Sequence, residues 1–288
     1  MTQNVHIQSF LHEGSHTISY IVHDGKTAAV IDPVLDFDHK SGSTGTTHAD
    51  KIIKALGEQN LETRWVLETH AHADHLTAAP YIKKAVGGHI AIGENIIKVQ
   101  ATFAEIFNDK ELLDNRLPAF DKTFADGEGF NIGTLEARYM HTPGHTPACG
   151  VYVIGDNAFV GDTIFMPDAG TARCDFPGGS AETLYKSITE KIFALPDSTN
   201  LYMCHDYGAD GKRDIKWQTT VKQEREENIH VGGGKTMAEF VKMRTERDAG
   251  LDLPLLIIPS VQLNIRGGKM PSREDNGVRY FKIPLNKM

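Results

Sequence analysis

Apolar residues recur along the chain at two different spacings, and the spacing changes several times from one end to the other. Short apolar runs bounded by Gly, Pro, Asn or Asp predict strands, whereas apolar residues three and four apart predict helices. Strands are predicted in IQSF, TISYIVHDG, KTAAVIDPV, RWVLETH, HIAIG, FNIGTLEARYMHTPG, CGVYVIGDN, AFVGDTIF and LYMCHDYG. Helices are predicted in ADKIIKALGEQN, TAAPYIKKAVGG, ENIIKVQATFAEIF, AETLYKSITEKIFAL, KWQTTVKQEREENI and MAEFVKMRTERDAG.

Connecting segments complete this pattern and define the expected domain organisation. Asp24-Gly25 predicts a hairpin turn, LDFDHKSGSTGTTH predicts a polar, glycine-rich loop, and NGVRYFKIPLN predicts a terminal strand. No internal repeat or low-complexity linker interrupts the sequence. We therefore expect one α/β domain over residues 1–288, in which the residues from about 210 onward form a helical cap and tail.

Composition narrows the classes of partner and the compartment. Hydrophobic residues make up 40% and charged residues 24% of the 288 residues, as in ordinary globular proteins. The net charge of −8 argues against a nucleic-acid partner. No run approaches the length of a membrane span, and the first residues lack the pattern of a secretory signal. Three cysteines without a CxxC motif favour a reducing, cytoplasmic location.

Histidine, with 14 residues, is concentrated in one octet, THAHADHL, which directly follows a predicted strand. The octet contains His70, His72, Asp74 and His75. His70 and His72 are two residues apart, so they face the same way along an extended segment. Imidazole and carboxylate groups are the usual ligands of Zn, Fe and Mn, so this cluster is a candidate metal site.

Three later segments offer the same kinds of ligand, again where predicted strands end. HTPGHT contributes His145, FVGDTIF contributes Asp162, and MCHDYG contributes His205. A single histidine in a turn is a weak signal. Four strand ends that all present His or Asp are best explained by one shared metal centre.

The ordered set HxHxDH, TPGHT, GDT and a strand-end His resembles the metallo-β-lactamase fold family. The resemblance implies an αβ/βα sandwich, in which two mixed sheets lie face to face, helices cover the outer faces, and metal binds between sheet edges. It implies a first metal site formed by His70, His72, His145 and Asp162. It implies a second metal position, or a set of groups that support the first, formed by Asp74, His75 and His205, with Asp162 able to bridge. His141 lies outside this motif and is expected to be structural.

The second half of the chain resembles one branch of that family, the persulfide dioxygenases. The segments GTARCDFPGG, CHDYG and KQEREEN resemble the parts of those enzymes that hold glutathione persulfide, which implies substrate contacts from Arg173, Tyr207 and Arg225. A guanidinium group pairs well with the carboxylates of such a tripeptide. The longer C-terminal part is similar to bacterial β-lactamase-like hydrolases that accompany sulfide-responsive systems.

This resemblance implies an Fe(II)- and O₂-dependent persulfide dioxygenase of sulfide detoxification, with one iron held by the catalytic group His70, His145 and Asp162. A homodimer is a further expectation from the family. Two alternatives stay open. A glyoxalase II-like thioester hydrolase would use zinc or a dinuclear centre, because all seven ligands are present. A non-enzymatic persulfide-sensing module would bind the same ligand without turnover.

Overall fold

Two six-stranded sheets form the centre of the molecule. The computed structural model describes residues 4–114 and 119–287. In the first sheet the first three strands in spatial order pair antiparallel, and the other neighbouring strands pair parallel. Its order is β1 (His6–His12), β2 (Thr17–His23), β3 (Thr27–Ile31), β6 (Glu62–Leu67), β8 (His89–Gly93) and β9 (Lys122–Phe124).

The second sheet is antiparallel except for one parallel pair, its fourth and fifth strands. Its order is β10 (Gly129–Ile132), β11 (Leu135–His141), β12 (Gly150–Ile154), β13 (Asn157–Phe159), β14 (Asn200–Tyr202) and β15 (Gln218–Thr220). A small third sheet has the order β5 (Ser43–Gly45), β4 (Val34–Asp38) and β7 (Leu76–Thr77).

The described part of the chain contains nine α-helices and one π-helical segment. The helices are α1 (Thr47–Glu58), α2 (Ala79–Val86), α3 (Ile96–Ile106), α4 (Lys110–Leu113), α5 (Ala181–Lys186), α6 (Gly208–Gly211), α7 (Val221–Glu227), α8 (Met237–Asp248) and α9 (Ile257–Asn264). The π-helical segment, Ser187–Ile192, continues directly from α5. None of the helices in the described ranges combines the length and apolarity required to cross a bilayer.

The main core lies between the two large sheets. Tyr20 and Ile31 of the first sheet belong to one buried cluster with Tyr152 and Phe159 of the second. The rings of Tyr20 and Phe159 are 5.1 Å apart in an edge-to-face arrangement, which aromatic pairs favour. Separate clusters join α1 and α2 to the outer face of the first sheet, and α5 and α8 to that of the second. The molecule is therefore an αβ/βα sandwich, as the resemblance implied.

Three predicted segments differ from the structure, and one helix was not predicted. The segment predicted as a polar loop contains β4 and β5, which pair through Asp38 and Ser43. This hairpin escaped prediction because β5 is a short polar strand and the connection is closed by side-chain bonds, including Lys40 N–H to the Asp38 carboxylate at 2.9 Å. The helix predicted over KWQTTVKQEREENI begins as strand β15. The chain turns at Thr220, whose hydroxyl caps α7 by accepting from Gln223 N–H.

The C-terminal segment also departs from the predicted pattern. No strand forms within residues 276–286 of the described chain, although NGVRYFKIPLN predicted one. Instead the backbone of Lys282 exchanges hydrogen bonds of 2.8 Å with the side chain of Gln262 in α9. Helix α9 itself was not predicted, because its short apolar run lacks the helical spacing that identified the other helices. The partition into a domain and a C-terminal cap stays a prediction.

Candidate metal centre

Four strands end at one place between the sheets, and each end delivers ligand-type side chains. Strand β6 leads into the octet, β11 into the turn that carries His145, β13 into Asp162 and β14 into His205. His70, His145 and His205 are all buried. The sequence-predicted convergence of these four segments is therefore present in the fold.

His70, His145 and Asp162 form a compact group of three. The Asp162 Oδ2 atom lies 3.7 Å from His70 Nε2 and 3.8 Å from His145 Nε2. Ligands that bind one ion at about 2.1 Å lie roughly 3.0–3.5 Å apart, so a small contraction would close this group around a metal. Burial lowers the pKa of His70 well below its usual value, and the neighbouring His72 and His145 lower it further. His70 is thus held in the neutral form that binds metal.

Hydrogen bonds orient both imidazoles toward the middle of this group. His70 Nδ1 lies 3.0 Å from the hydroxyl of Thr69, and His145 Nδ1 donates to the carbonyl of Arg173 at 2.7 Å. Each ring therefore directs Nε2 at Asp162, the arrangement that metal-binding histidines usually have. His70 Nε2 and Asp162 Oδ1 are buried without a hydrogen-bond partner among the described residues. Unpaired buried polar atoms of this kind fit a bound metal ion.

His72 lies outside the group of His70, His145 and Asp162, although the resemblance implied that it belongs to the first metal site. Its Nε2 atom lies 3.0 Å from Asp32 Oδ1 and 3.5 Å from Glu68 Oε2. Burial alone would lower the pKa of His72, but the two carboxylates outweigh it and hold that pKa well above the usual value. Its other ring nitrogen, Nδ1, is buried without a hydrogen-bond partner among the described residues, and one of its ring nitrogens lies within 4.8 Å of ligand atoms of Asp74, His75 and His205.

A second group lies beside the first and shares Asp162 with it. His205 Nε2 is 3.4 Å from Asp162 Oδ1 and 3.5 Å from Asp74 Oδ2, and His75 Nδ1 is 3.2 Å from that same Asp74 oxygen. Burial lowers the pKa of His75 to about 4. Burial would raise the pKa of Asp74, but His205 and His75 hold it well below the usual value. The two oxygens of Asp162 therefore face different groups.

Asp32 and Glu68 are buried acids of the centre that sequence reasoning missed. Asp32 follows β3 with a φ of 47°, and its carboxylate accepts from Thr69 N–H at 2.7 Å and from the Thr69 hydroxyl at 2.9 Å. Glu68 accepts from the Thr77 hydroxyl. The sequence signal was an acid directly after each of two apolar strands, in VIDP and VLET.

Two of the three predicted substrate residues border the centre. A cavity of about 710 Å³ is lined by His145, Asp162, Arg173 and Tyr207 among others. The Tyr207 ring is stacked on His205 with centroids 6.2 Å apart.

Arg225 is not among the residues that line this cavity. Its guanidinium group pairs with Asp197 and donates to the carbonyl of Phe193.

The predicted structural role of His141 is consistent with its Nε2 atom lying 2.9 Å from the carbonyl of Pro147.

A sandwich fold with paired His/Asp groups between its sheet edges defines a class of metal-binding proteins. The chain belongs to the metallo-beta-lactamase superfamily, whose sequence profile matches residues 13–205. Proteins of this superfamily bind metal ions, and the His/Asp groups described above fit that property.

Several curated proteins are similar to the chain over nearly its whole length. A probable metallo-hydrolase of Burkholderia pseudomallei is 50% identical over 97% of this chain and 99% of its own length. Glyoxylase B2 of Dictyostelium discoideum is 48% identical over 99% of both chains. The mitochondrial persulfide dioxygenase ETHE1 of Mus musculus is 30% identical over 88% of this chain and 85% of its own. Beta-lactamase hydrolase-like proteins are also among the relatives.

Among solved structures, ETHE1 from Myxococcus xanthus superposes with a TM-score of 0.74. The match covers 92% of this chain and 100% of that one, at 26% identity. The relatives therefore include persulfide dioxygenases, as the motifs of the second half suggested.

Proposed function

We propose that the protein is an Fe(II)- and O₂-dependent persulfide dioxygenase that acts on glutathione persulfide. In the balanced reaction, one persulfide, one O₂ and one water give one thiol, one sulfite and two protons. The terminal sulfur is oxidised and the S–S bond is broken, while O₂ is reduced. The similarity to ETHE1 persulfide dioxygenases supports this proposal.

One observation carries the proposal: a two-histidine, one-carboxylate group stands apart from the nearby His72. His70, His145 and Asp162 lie together, whereas the imidazole of His72 is turned onto Asp32. Three ligands on one side of an ion are characteristic of non-haem Fe(II) oxygenases, because they leave positions open for substrate and O₂. A zinc hydrolase would be expected to use His72 as a further ligand of the ion.

The chain's own residues hold and orient this group. Iron bound there would supply the redox chemistry. The carbonyl of Arg173 fixes the tautomer of His145, and His205 Nε2 lies 3.4 Å from Asp162 Oδ1. Tyr207 lines the cavity beside His205, where the persulfide would be held.

A second candidate is a glyoxalase II-like thioester hydrolase with two metal ions. The second group, formed by Asp74, His75 and His205, favours it, because Asp162 Oδ1 faces that group while Oδ2 faces the first. The 48% identity to a protein named glyoxylase B2 supports it as well. Its chemistry would be attack of an activated water on the thioester carbonyl.

Metal stoichiometry combined with oxygen uptake separates the two candidates. The protein would be reconstituted anaerobically with Fe(II), its iron counted, and then mixed with glutathione persulfide or with a glutathione thioester. We expect one iron per chain, with O₂ consumed and sulfite formed in equal amounts. Two metals per chain with thioester cleavage and no O₂ uptake would overturn the proposal. Persulfide binding without any turnover would do so too, in favour of a sensing module.

A further inference from the structure

The cavity that begins at the candidate metal centre extends outward to the end of α8 and the loop after it. Its wall includes His145 and Asp162 at the inner end. Its outer wall includes Arg247, Asp252 and an apolar segment, residues 254–256, of sequence PLL. The outer wall therefore comes from residues beyond the segment 13–205 that the superfamily profile matches.

Two of the arginines that line this cavity are already fully engaged within the protein. The guanidinium group of Arg173 forms a bidentate pair with Asp175, with both N–O distances 2.5 Å. Arg244 is buried and bonds to Asp248 at 2.6 and 2.9 Å and to the carbonyl of Thr171 at 3.0 Å. Neither group has strong donors left for a ligand.

Arg247 and Asp252 differ from these arginines because their charges are not compensated. Both side chains are exposed and both line the cavity. Within residues 4–114 and 119–287, neither side chain has a hydrogen-bond or ion-pair partner, and the two do not pair with each other. A cation and an anion that face one cavity without pairing match a ligand that carries both charges.

We propose that Arg247 and Asp252 bind the zwitterionic amino-acid end of the thiol that carries the persulfide. The guanidinium group would pair with the carboxylate of that end, and the Asp252 carboxylate with its ammonium group. The apolar segment of residues 254–256, which lines the same cavity, would cover the uncharged part of the substrate. The inference rests on the proposed persulfide dioxygenase function and defines the class of its substrate.

Contacts that involve neither charge hold this subsite at a fixed distance from the centre. Arg173 donates to the backbone carbonyl of Asp252 at 2.6 Å, and its own carbonyl accepts from His145. The other side is fixed by Asp248, whose Oδ2 accepts from Cys174 N–H at 2.8 Å. Arg173 thereby acts as a positioning residue, because it connects a candidate metal ligand to the substrate-binding loop.

Binding of the parent thiol tests the subsite without any turnover. Glutathione would be titrated calorimetrically into the anaerobic iron-loaded protein and into its Arg247→Ala and Asp252→Asn variants. Since both side chains are exposed and solvent screens their charges, each variant should bind glutathione about two- to fivefold more weakly. Arg64→Ala and Asp156→Asn, two exposed changes outside the cavity, are matched controls that should bind as the parent does.

Glutathione derivatives in which one charged group is chemically blocked test the two proposed ion pairs separately. N-acetylated glutathione should bind the parent protein and Asp252→Asn equally, because the ammonium group is gone. In oxygen-uptake assays, Arg247→Ala should raise KM for glutathione persulfide while kcat stays unchanged. Unaltered glutathione binding by both variants would overturn the subsite and leave the proposed oxygenase standing. Arg247-dependent glutathione binding without O₂ uptake would instead overturn the oxygenase alone.

Discussion

The side-chain amide of Asn264 donates a hydrogen bond of 2.8 Å to the backbone carbonyl of His72. The same amide nitrogen lies 2.8 Å from the carbonyl of His75, and its oxygen accepts from Thr77 N–H at 2.9 Å. Residues 70–75 of the octet form an irregular loop between β6 and β7, so the carbonyls of His72 and His75 take their partner from outside the strand ladders. One residue of α9 thus holds both halves of the octet.

We expect Asn264→Ala to destabilise both the fold and the metal centre. The change leaves buried carbonyl and N–H groups unpaired, at about 1–3 kcal/mol for each group. The free energy of unfolding in urea should fall by roughly 3 kcal/mol, and iron should bind more weakly because the octet loses its support. Asn276→Ala removes an exposed amide and serves as the control. Equal stability and iron content in the two variants would contradict this role.

Asp162→Asn should remove the metal and the activity together. Asp162 is the carboxylate of the first group and faces both groups, so an amide would take away their shared negative charge. Mutation of a residue that only orients a metal ligand typically lowers metal affinity or activity about 10- to 100-fold. Loss of the ligand Asp162 itself should therefore lower them more than about 100-fold. Iron content and O₂ uptake are the measurements, with Asp156→Asn at an exposed turn as the control. Parent-like iron content in Asp162→Asn would show that the centre lies elsewhere.

The grouping of the candidate ligands could be predicted because it follows from topology. His70, His145 and Asp162 each follow a strand end, and strand ends of facing sheets meet at a common edge. The position of His72 could not be predicted in the same way. It depends on Asp32, which is 40 residues earlier, and on the backbone turn at a φ of 47° that presents its carboxylate.

Long-range contacts explain the other differences between the predicted and the observed site. Arg225 and Arg247 both lie on charged helices, and sequence periodicity does not reveal which of them faces the cavity. Packing decides this question, because α7 pairs Arg225 with Asp197 while α8 borders the cavity. The role of Asn264 was equally hidden, since nothing in its own neighbourhood indicates a contact with His72 of the octet, 192 residues earlier.

Gly93→Ala should be destabilising by steric overlap, and Tyr139→Phe should partly restore stability. A Cβ atom at Gly93 would overlap the hydroxyl and ring of Tyr139 across the core between the sheets. Overpacking of this kind costs about 1–3 kcal/mol. The Tyr139 hydroxyl is buried without a partner in the described structure, so its removal alone should cost little. Thermal unfolding of the two single variants and the double variant measures this coupling, and strictly additive effects would contradict it.

His230 should make the protein less stable in mild acid. Burial, together with the charges of Arg244, Arg247 and Lys235, lowers the pKa of His230 to about 4. In the unfolded chain His230 takes up a proton near pH 6.5, whereas in the folded protein it stays neutral to lower pH. The stability that this difference provides is therefore complete above about pH 6.5 and is lost as the pH falls toward 4. His230→Asn keeps an acceptor for Thr171 N–H but does not titrate. Between pH 7 and pH 5 the parent should lose roughly 2 kcal/mol more than this variant in urea unfolding. Parallel pH profiles would refute the assignment.

Asp74→Asn should distinguish a single iron from a dinuclear centre. Asp74 contacts His75 and His205 but lies outside the group of His70, His145 and Asp162, so its charge matters chiefly to the second group. If one iron serves the reaction, the variant should keep about one iron per chain and lose less than about 100-fold in O₂ uptake, as for a residue that only supports the ligands. If two metals serve a hydrolase, the parent should hold two and the variant one, with thioester cleavage lost. Metal counting on both proteins, alongside both activity assays, therefore decides whether the second half of the octet binds an ion or only supports the first half.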